Sequence, residues 1–171
     1  MAGLDWLNAL PSAEAQAALL RCCGSRRWSR AVAQRRPFGS ESALLDAAAR
    51  EWDALAPADW LEAFAQHPRI GETGVTASST RAWSASEQSR VAGADDAVRR
   101  ALADANRAYA DRFGYTFIVC ATGKSAQEML ASLQRRLHNP PDAELRVAAA
   151  EQAQITRLRL AKLLAEHPEG A

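Results

Sequence analysis

Residues 95–114 read DDAVRRALADANRAYADRFG, and the spacing of their apolar positions decides the fold class. Val98, Leu102, Ala105, Tyr109 and Phe113 recur at intervals of three and four, which puts them on one face of a helix. Two acids open the stretch, arginines come late, and Gly114 supplies a stop, so the charges suit the helix dipole at both ends. The spacing predicts a helix over 95–113.

The same signals recur on both sides. Ser125 and Glu128 have capping-box spacing ahead of Met129, Leu130, Leu133 and Leu137, and Asn139, Pro140 and Pro141 end that run. A last helix is expected over 142–166. Upstream, Ser84 and Glu87 repeat the capping-box spacing. Pro57 suits the first turn of a helix through Trp60, Leu61 and Phe64, which must stop near Gln66 because Pro68 disfavours helical backbone at His67. Ser40 opens a run through Leu44, Leu45, Ala48 and Trp52, and Ser12 precedes an Ala-rich segment that reaches about Arg21. The stretch RIGETGVTASSTRAW, residues 69–83, lacks apolar periodicity and is the longest loop candidate. Only YTFIVCATGK, residues 115–124, looks strand-like, and one extended segment cannot make a sheet.

Composition agrees. The 171 residues include 39 Ala and 18 Leu, against 15 Val, Ile and Thr together. Ala and Leu lose least on entering a helix, whereas β-branched residues favour strands. The expectation is an all-α fold: a single compact helical-bundle domain over 1–171, with about seven to nine helices and one short extended segment near 116–121. A formal net charge of +1 gives no field for nucleic acid or an acidic membrane surface. The first twenty residues lack a basic start and a continuous apolar stretch, so no secretory leader is expected and the cytoplasm is the expected compartment. Cys22 and Cys23 adjoin and Cys120 stands alone, which is no disulfide framework.

Familiar cofactor chemistry finds no motif. Gly123, Lys124 and Ser125 end like a phosphate-binding loop, but its first glycine would fall on Ile118. His67, His138 and His167 are too far apart for a zinc cluster. A hydrolase elbow and the dinucleotide fingerprint are also missing. An enzyme of this sequence is expected to work with side chains alone, without metal or cofactor.

Three positions then stand out. His67 ends a helix just before a proline, where the helix carbonyls favour its protonated form; it could equally be a simple cap. Glu87 could merely complete a capping box, or could present a carboxylate beside free backbone donors. On the last helix, Arg159 lies about 40° from Ile155 and Arg157 about 160° away, so Arg159 points to the apolar side. A guanidinium there either snorkels to the rim or is held against a buried anion.

The stretches around these positions carry a resemblance. His67-Pro68-Arg69-Ile70-Gly71, Ser84-Ala85-Ser86-Glu87-Gln88, Asn106-x-x-Tyr109 with Arg112-Phe113-Gly114-Tyr115-x-Phe117-Ile118, and Ile155-x-x-Leu158-Arg159-Leu160 together resemble the 2-oxo-4-hydroxy-4-carboxy-5-ureidoimidazoline (OHCU) decarboxylase family of urate catabolism. The resemblance implies a cofactor-free, all-helical, homodimeric enzyme that releases CO2 from a ureidoimidazoline and forms (S)-allantoin. It implies that His67 is the catalytic acid, Glu87 its companion and Arg159 the charge stabiliser. Substrate contacts are implied at Pro68, at Ser84, Ala85, Ser86 and Gln88, and along Phe117, Ile118, Val119, Cys120 and Ala121. Two other readings fit the composition: a helical protein-interaction module, and a cofactor-free lyase or hydrolase of a related ureide.

Overall fold

The computed structural model describes residues 2–68 and 95–167, and every regular element among them is an α-helix. In chain order these are α1 (Ala2–Ala9), α2 (Ser12–Cys22), α3 (Arg26–Gln34), α4 (Glu41–Asp53), α5 (Pro57–Phe64), α6 (Asp96–Phe113), α7 (Ala126–Arg136) and α8 (Pro141–Ala165). The all-α expectation holds, and residues 116–121 run without helix or ladder.

Local chemistry sets the ends. Asp95 caps α6 by accepting from the Ala97 amide, and Gly114, at φ 82°, closes it in the left-handed region that glycine enters without penalty. Ser125 and Glu128 complete the reciprocal capping box of α7. Ser40 accepts from the Ala43 amide at the start of α4. Ser12 is different: it is the first helical residue of α2, Pro11 takes the N-cap position, and the cap makes no side-chain bond. The capping box at Ser84 and Glu87 lies outside the described residues. Two helices were not anticipated, the short α1 and the arginine-rich α3, which is capped by Ser25 accepting from the Trp28 amide at 3.3 Å.

The described residues fall into two compact units. One is drawn from Met1–Ala63 and Ala153–Ala171, the other from Phe64–Gln152.

In the first unit Leu7, Leu19, Trp28, Val32, Leu44, Leu160 and Leu163 form a fully buried apolar centre. The Trp28 indole donates to the Ala48 carbonyl at 2.9 Å and the Trp60 indole to the Trp52 carbonyl at 3.1 Å, so both rings pack without stranding their polar atom. Arg36 donates to the Leu7 and Leu10 carbonyls, each at 2.7 Å, and so satisfies acceptors that the end of α1 leaves over. Asn8 and the Phe38 backbone exchange two hydrogen bonds of 2.9 Å. Cys22 and Cys23 are buried and free, and burial pushes both thiols up to about 12. Gly3 has a steric role: a Cβ there would collide with the Leu164 carbonyl of α8.

The second unit closes over Leu102, Tyr109, Phe117, Ala126, Met129 and Leu133. Beside that core sits a buried ion pair. Arg136 reaches Glu144 through Nε at 2.8 Å, with the Glu144 side chain wholly removed from solvent. Tyr109 donates to the same carboxylate oxygen at 2.5 Å, and Asn139 donates to the other at 2.8 Å. The guanidinium also lies over the Phe117 ring, 4.5 Å from its centroid. Burial first, and then donation to the Glu144 carboxylate, raise the Tyr109 phenol above its ordinary value; burial likewise raises Tyr115.

These contacts have measurable consequences. Gly3→Ala is expected to cost about 1–3 kcal/mol through overpacking against α8, read as a lower urea midpoint. Glu144→Ala, which strands a buried guanidinium, is expected to cost about 3–5 kcal/mol in the same experiment. The chain has two tyrosines, and both folded pKa values are raised. Their stabilising contribution is therefore complete below the unfolded phenol pKa of about 10 and fades as pH rises through the folded values. A spectrophotometric titration should show less tyrosinate at pH 10 in the native protein than in the unfolded chain.

Candidate active site

His67 follows α5 after a single turn. The helix ends at Phe64, and the His67 amide donates to the Phe64 carbonyl at 3.1 Å. Pro68 comes next, which explains why the helix goes no further. The imidazole is half-buried, and its Nε2 lies 2.6 Å from Oε1 of Gln152, a side chain of α8 with no solvent exposure. An amide oxygen only accepts, so this contact is a hydrogen bond when Nε2 carries a proton.

The second feature is Phe117–Ala121. A segment without a ladder must satisfy its backbone groups by other means. The Ile118 carbonyl accepts from Arg136 at 2.8 Å. The Cys120 amide donates to Glu151 Oε2 at 2.6 Å, and the Cys120 carbonyl accepts from Lys124 Nζ at 2.9 Å. Lys124 Nζ is itself 3.7 Å from Glu151, so that carboxylate is charge-balanced. Phe117, Ile118 and Cys120 are buried, while Val119 and Ala121 are half-exposed. The segment is a fixed edge with its neighbours chosen by side chains, and several of its polar groups are already engaged within the protein.

Both features converge on one turn of α8. Glu151 holds the Cys120 amide and its neighbour Gln152 holds His67, so the histidine and the segment are fastened to consecutive residues of one helix. Glu144, one two-turn step before Glu151, anchors Tyr109, Arg136 and Asn139. A step of seven residues returns a helix nearly to the same face. The second unit therefore uses one helical stripe to hold both the irregular segment and the ion pair behind it.

The other anticipated residues divide cleanly. Arg159 belongs to the first unit and is buried, while Arg157 is exposed, as the periodicity expected of them. Its positive charge acts on the Cys22 and Cys23 thiols in the direction opposite to the upward push of burial. Ser84, Ala85, Ser86, Glu87 and Gln88 lie outside the described residues. The family resemblance pairs His67 with Glu87, whereas Gln152, Glu151, Lys124 and the pair Arg136 and Glu144 come from the structure. The seven-residue step from Glu144 to Glu151 was the available signal. No helix among the described residues is long and apolar enough to cross a membrane.

Known proteins share this arrangement of sequence and fold. The sequence model of the OHCU decarboxylase family matches residues 8–161. The Uric acid degradation bifunctional protein TTL of Arabidopsis thaliana is 38% identical over 149 residues, which cover 85% of this chain and 46% of that protein. The chain thus spans about half of that two-function relative. The 2-oxo-4-hydroxy-4-carboxy-5-ureidoimidazoline decarboxylase of Amia calva is 30% identical, with 78% of each chain covered. A crystal structure of OHCU decarboxylase in the presence of (S)-allantoin superposes with a TM-score of 0.74 at 36% identity, covering 85% of this chain and 96% of the other. This chain belongs to the OHCU decarboxylase family.

Proposed function

We propose that this chain converts 2-oxo-4-hydroxy-4-carboxy-5-ureidoimidazoline to (S)-allantoin and CO2 in urate degradation, with His67 as the proton donor. The observation that carries this reading is the attachment of His67 and of the Phe117–Ala121 segment to consecutive α8 residues, in a chain of this family. It pairs an oriented acid with a rigid polar edge.

The chemistry suits such a site. The substrate bears a carboxylate and a hydroxyl on one ring carbon, next to an imine carbon. When the bond to the carboxyl carbon breaks, CO2 leaves and the electron pair flows towards the imine nitrogen. A double bond then joins the two ring carbons. The nitrogen takes up a proton. Protonation of the former imine carbon on one face, with the hydroxyl giving up its proton to become a carbonyl, gives one enantiomer of the product, so that one proton is taken up in all. The imine is the electron sink, which is why the family's chemistry asks for no pyridoxal or thiamine.

In this reading His67 delivers or relays the proton, Glu87 orients the hydroxyl or ureido group, and Arg159 offsets charge as it moves. Pro68, Ser84 to Gln88 and Phe117 to Ala121 contact the substrate. Since the Cys120 amide already serves Glu151, substrate amides are met by other groups of that edge. We further propose a homodimer working in the cytoplasm without metal or organic cofactor.

The reading is tested by feeding purified chain with substrate generated in place from urate. It should accelerate CO2 release and yield optically active allantoin; racemic product at the spontaneous rate would overturn it. His67→Asn and Arg159→Ala are each expected to remove about 10²–10⁴-fold of the rate, the usual worth of a general acid or a charge-stabilising donor, with helical circular dichroism unchanged. Sedimentation should give twice the monomer mass.

A further inference from the structure

We infer that Gln152 is a positioning residue for the reaction: its side-chain oxygen holds the proton of His67 on Nε2 and so commits proton exchange to Nδ1. The inference rests on the proposed role of His67.

Gln152 has no solvent exposure, and a buried amide is expected to be fully hydrogen-bonded. Its oxygen lies 2.6 Å from His67 Nε2, within one hydrogen bond. That bond survives a catalytic cycle. Neutral imidazole with its proton on Nε2 makes it, and so does imidazolium, because both carry Nε2–H. The ring can therefore gain and lose a proton at Nδ1 without losing its anchor or turning. The opposite tautomer would set a bare Nε2 against a carbonyl oxygen, with two lone pairs facing each other.

The neutrality of the partner matters as well. A carboxylate at this position would stabilise the imidazolium strongly and make its proton harder to give away. A glutamine fixes the same ring geometry while leaving the proton transferable. Its place on α8, directly after the residue that holds the Cys120 amide, ties ring orientation to the edge that the substrate meets.

The experiment uses the full chain with Gln152→Met, similar in length but without an acceptor, and Gln152→Glu, which keeps an oxygen in place. Two readouts are taken: steady-state kinetics on substrate made in place from urate, and ¹⁵N NMR of the histidine side chains, with His67 assigned by its loss in His67→Asn. Wild type should show Nε2–H as the dominant neutral tautomer. Gln152→Met should lower kcat about 10–100-fold, as loss of an outer partner does elsewhere, with KM changed less than about threefold, and its His67 tautomers should mix. Gln152→Glu should restore the proton to Nε2 but leave kcat below wild type, because its carboxylate holds the imidazolium and makes the proton harder to give away. Wild-type kcat and tautomer in Gln152→Met would overturn the inference. So would an Nδ1–H tautomer in the wild type, which decides the matter even if Gln152→Met does not fold. Full activity in His67→Asn would instead overturn the role of His67, while the NMR would still judge what Gln152 does.

Discussion

A backbone that forms neither helix nor ladder must find partners for its amides and carbonyls or lose the free energy of burying them unpaired. Much of the second unit follows from how this chain meets that demand between Phe117 and Ala121. Arg136 takes the Ile118 carbonyl, Lys124 the Cys120 carbonyl and Glu151 the Cys120 amide. Each partner is a charged side chain brought in from a helix or its approach. A charged partner forms a stronger hydrogen bond than a neutral one and holds its acceptor in a narrower range of positions. The segment is thus made precise by the helices around it.

Such precision carries an energetic cost, and the ion pair at its base shows how the cost is met. Taking a guanidinium and a carboxylate out of water costs several kcal/mol per ion, of the order that their attraction can repay only with good geometry and full hydrogen bonding. Arg136 spends one arm on Glu144 and another on the Ile118 carbonyl, while its flat face covers Phe117. Glu144 receives Tyr109 on one oxygen and Asn139 on the other. An apolar pair of equal volume could support the same packing. It would not bind the Ile118 carbonyl, and the segment would lose its fixed point.

The helices were legible in sequence because their signals are local. A capping box spans four residues and a helical face is read within two turns, so Asp95, Gly114, Ser125 and Glu128 reveal their roles without tertiary knowledge. Where sequence pattern and structure part, local rules compete. Ser12 looks like a cap, but Pro11 before it already has the extended backbone a cap position needs, and the helix starts one residue early. The α3 helix hides among arginines, although Ser25 as cap with Trp28 and Val32 one turn apart was a usable sign. Arg159 was legible for the same reason, since helical phase alone separates it from Arg157. Gln152 was not: its partner is 85 residues away, and nothing near it in sequence distinguishes it from any polar residue of a long helix.

That separation also explains the division of labour along α8. Residues whose task is to fix geometry, Glu144, Glu151 and Gln152, sit on the part of the helix within the second unit, where their partners are buried or half-buried. The charges are distributed accordingly. Glu144 faces a permanent cation, because a guanidinium does not release its proton. At Nε2 His67 faces a neutral amide. A histidine given a carboxylate partner becomes a better cation and a poorer donor, whereas one held by an amide keeps a transferable proton. At Nε2 the fold thus sets a neutral acceptor against the group that the proposed reaction requires to change state, while the groups that fix the segment carry charge.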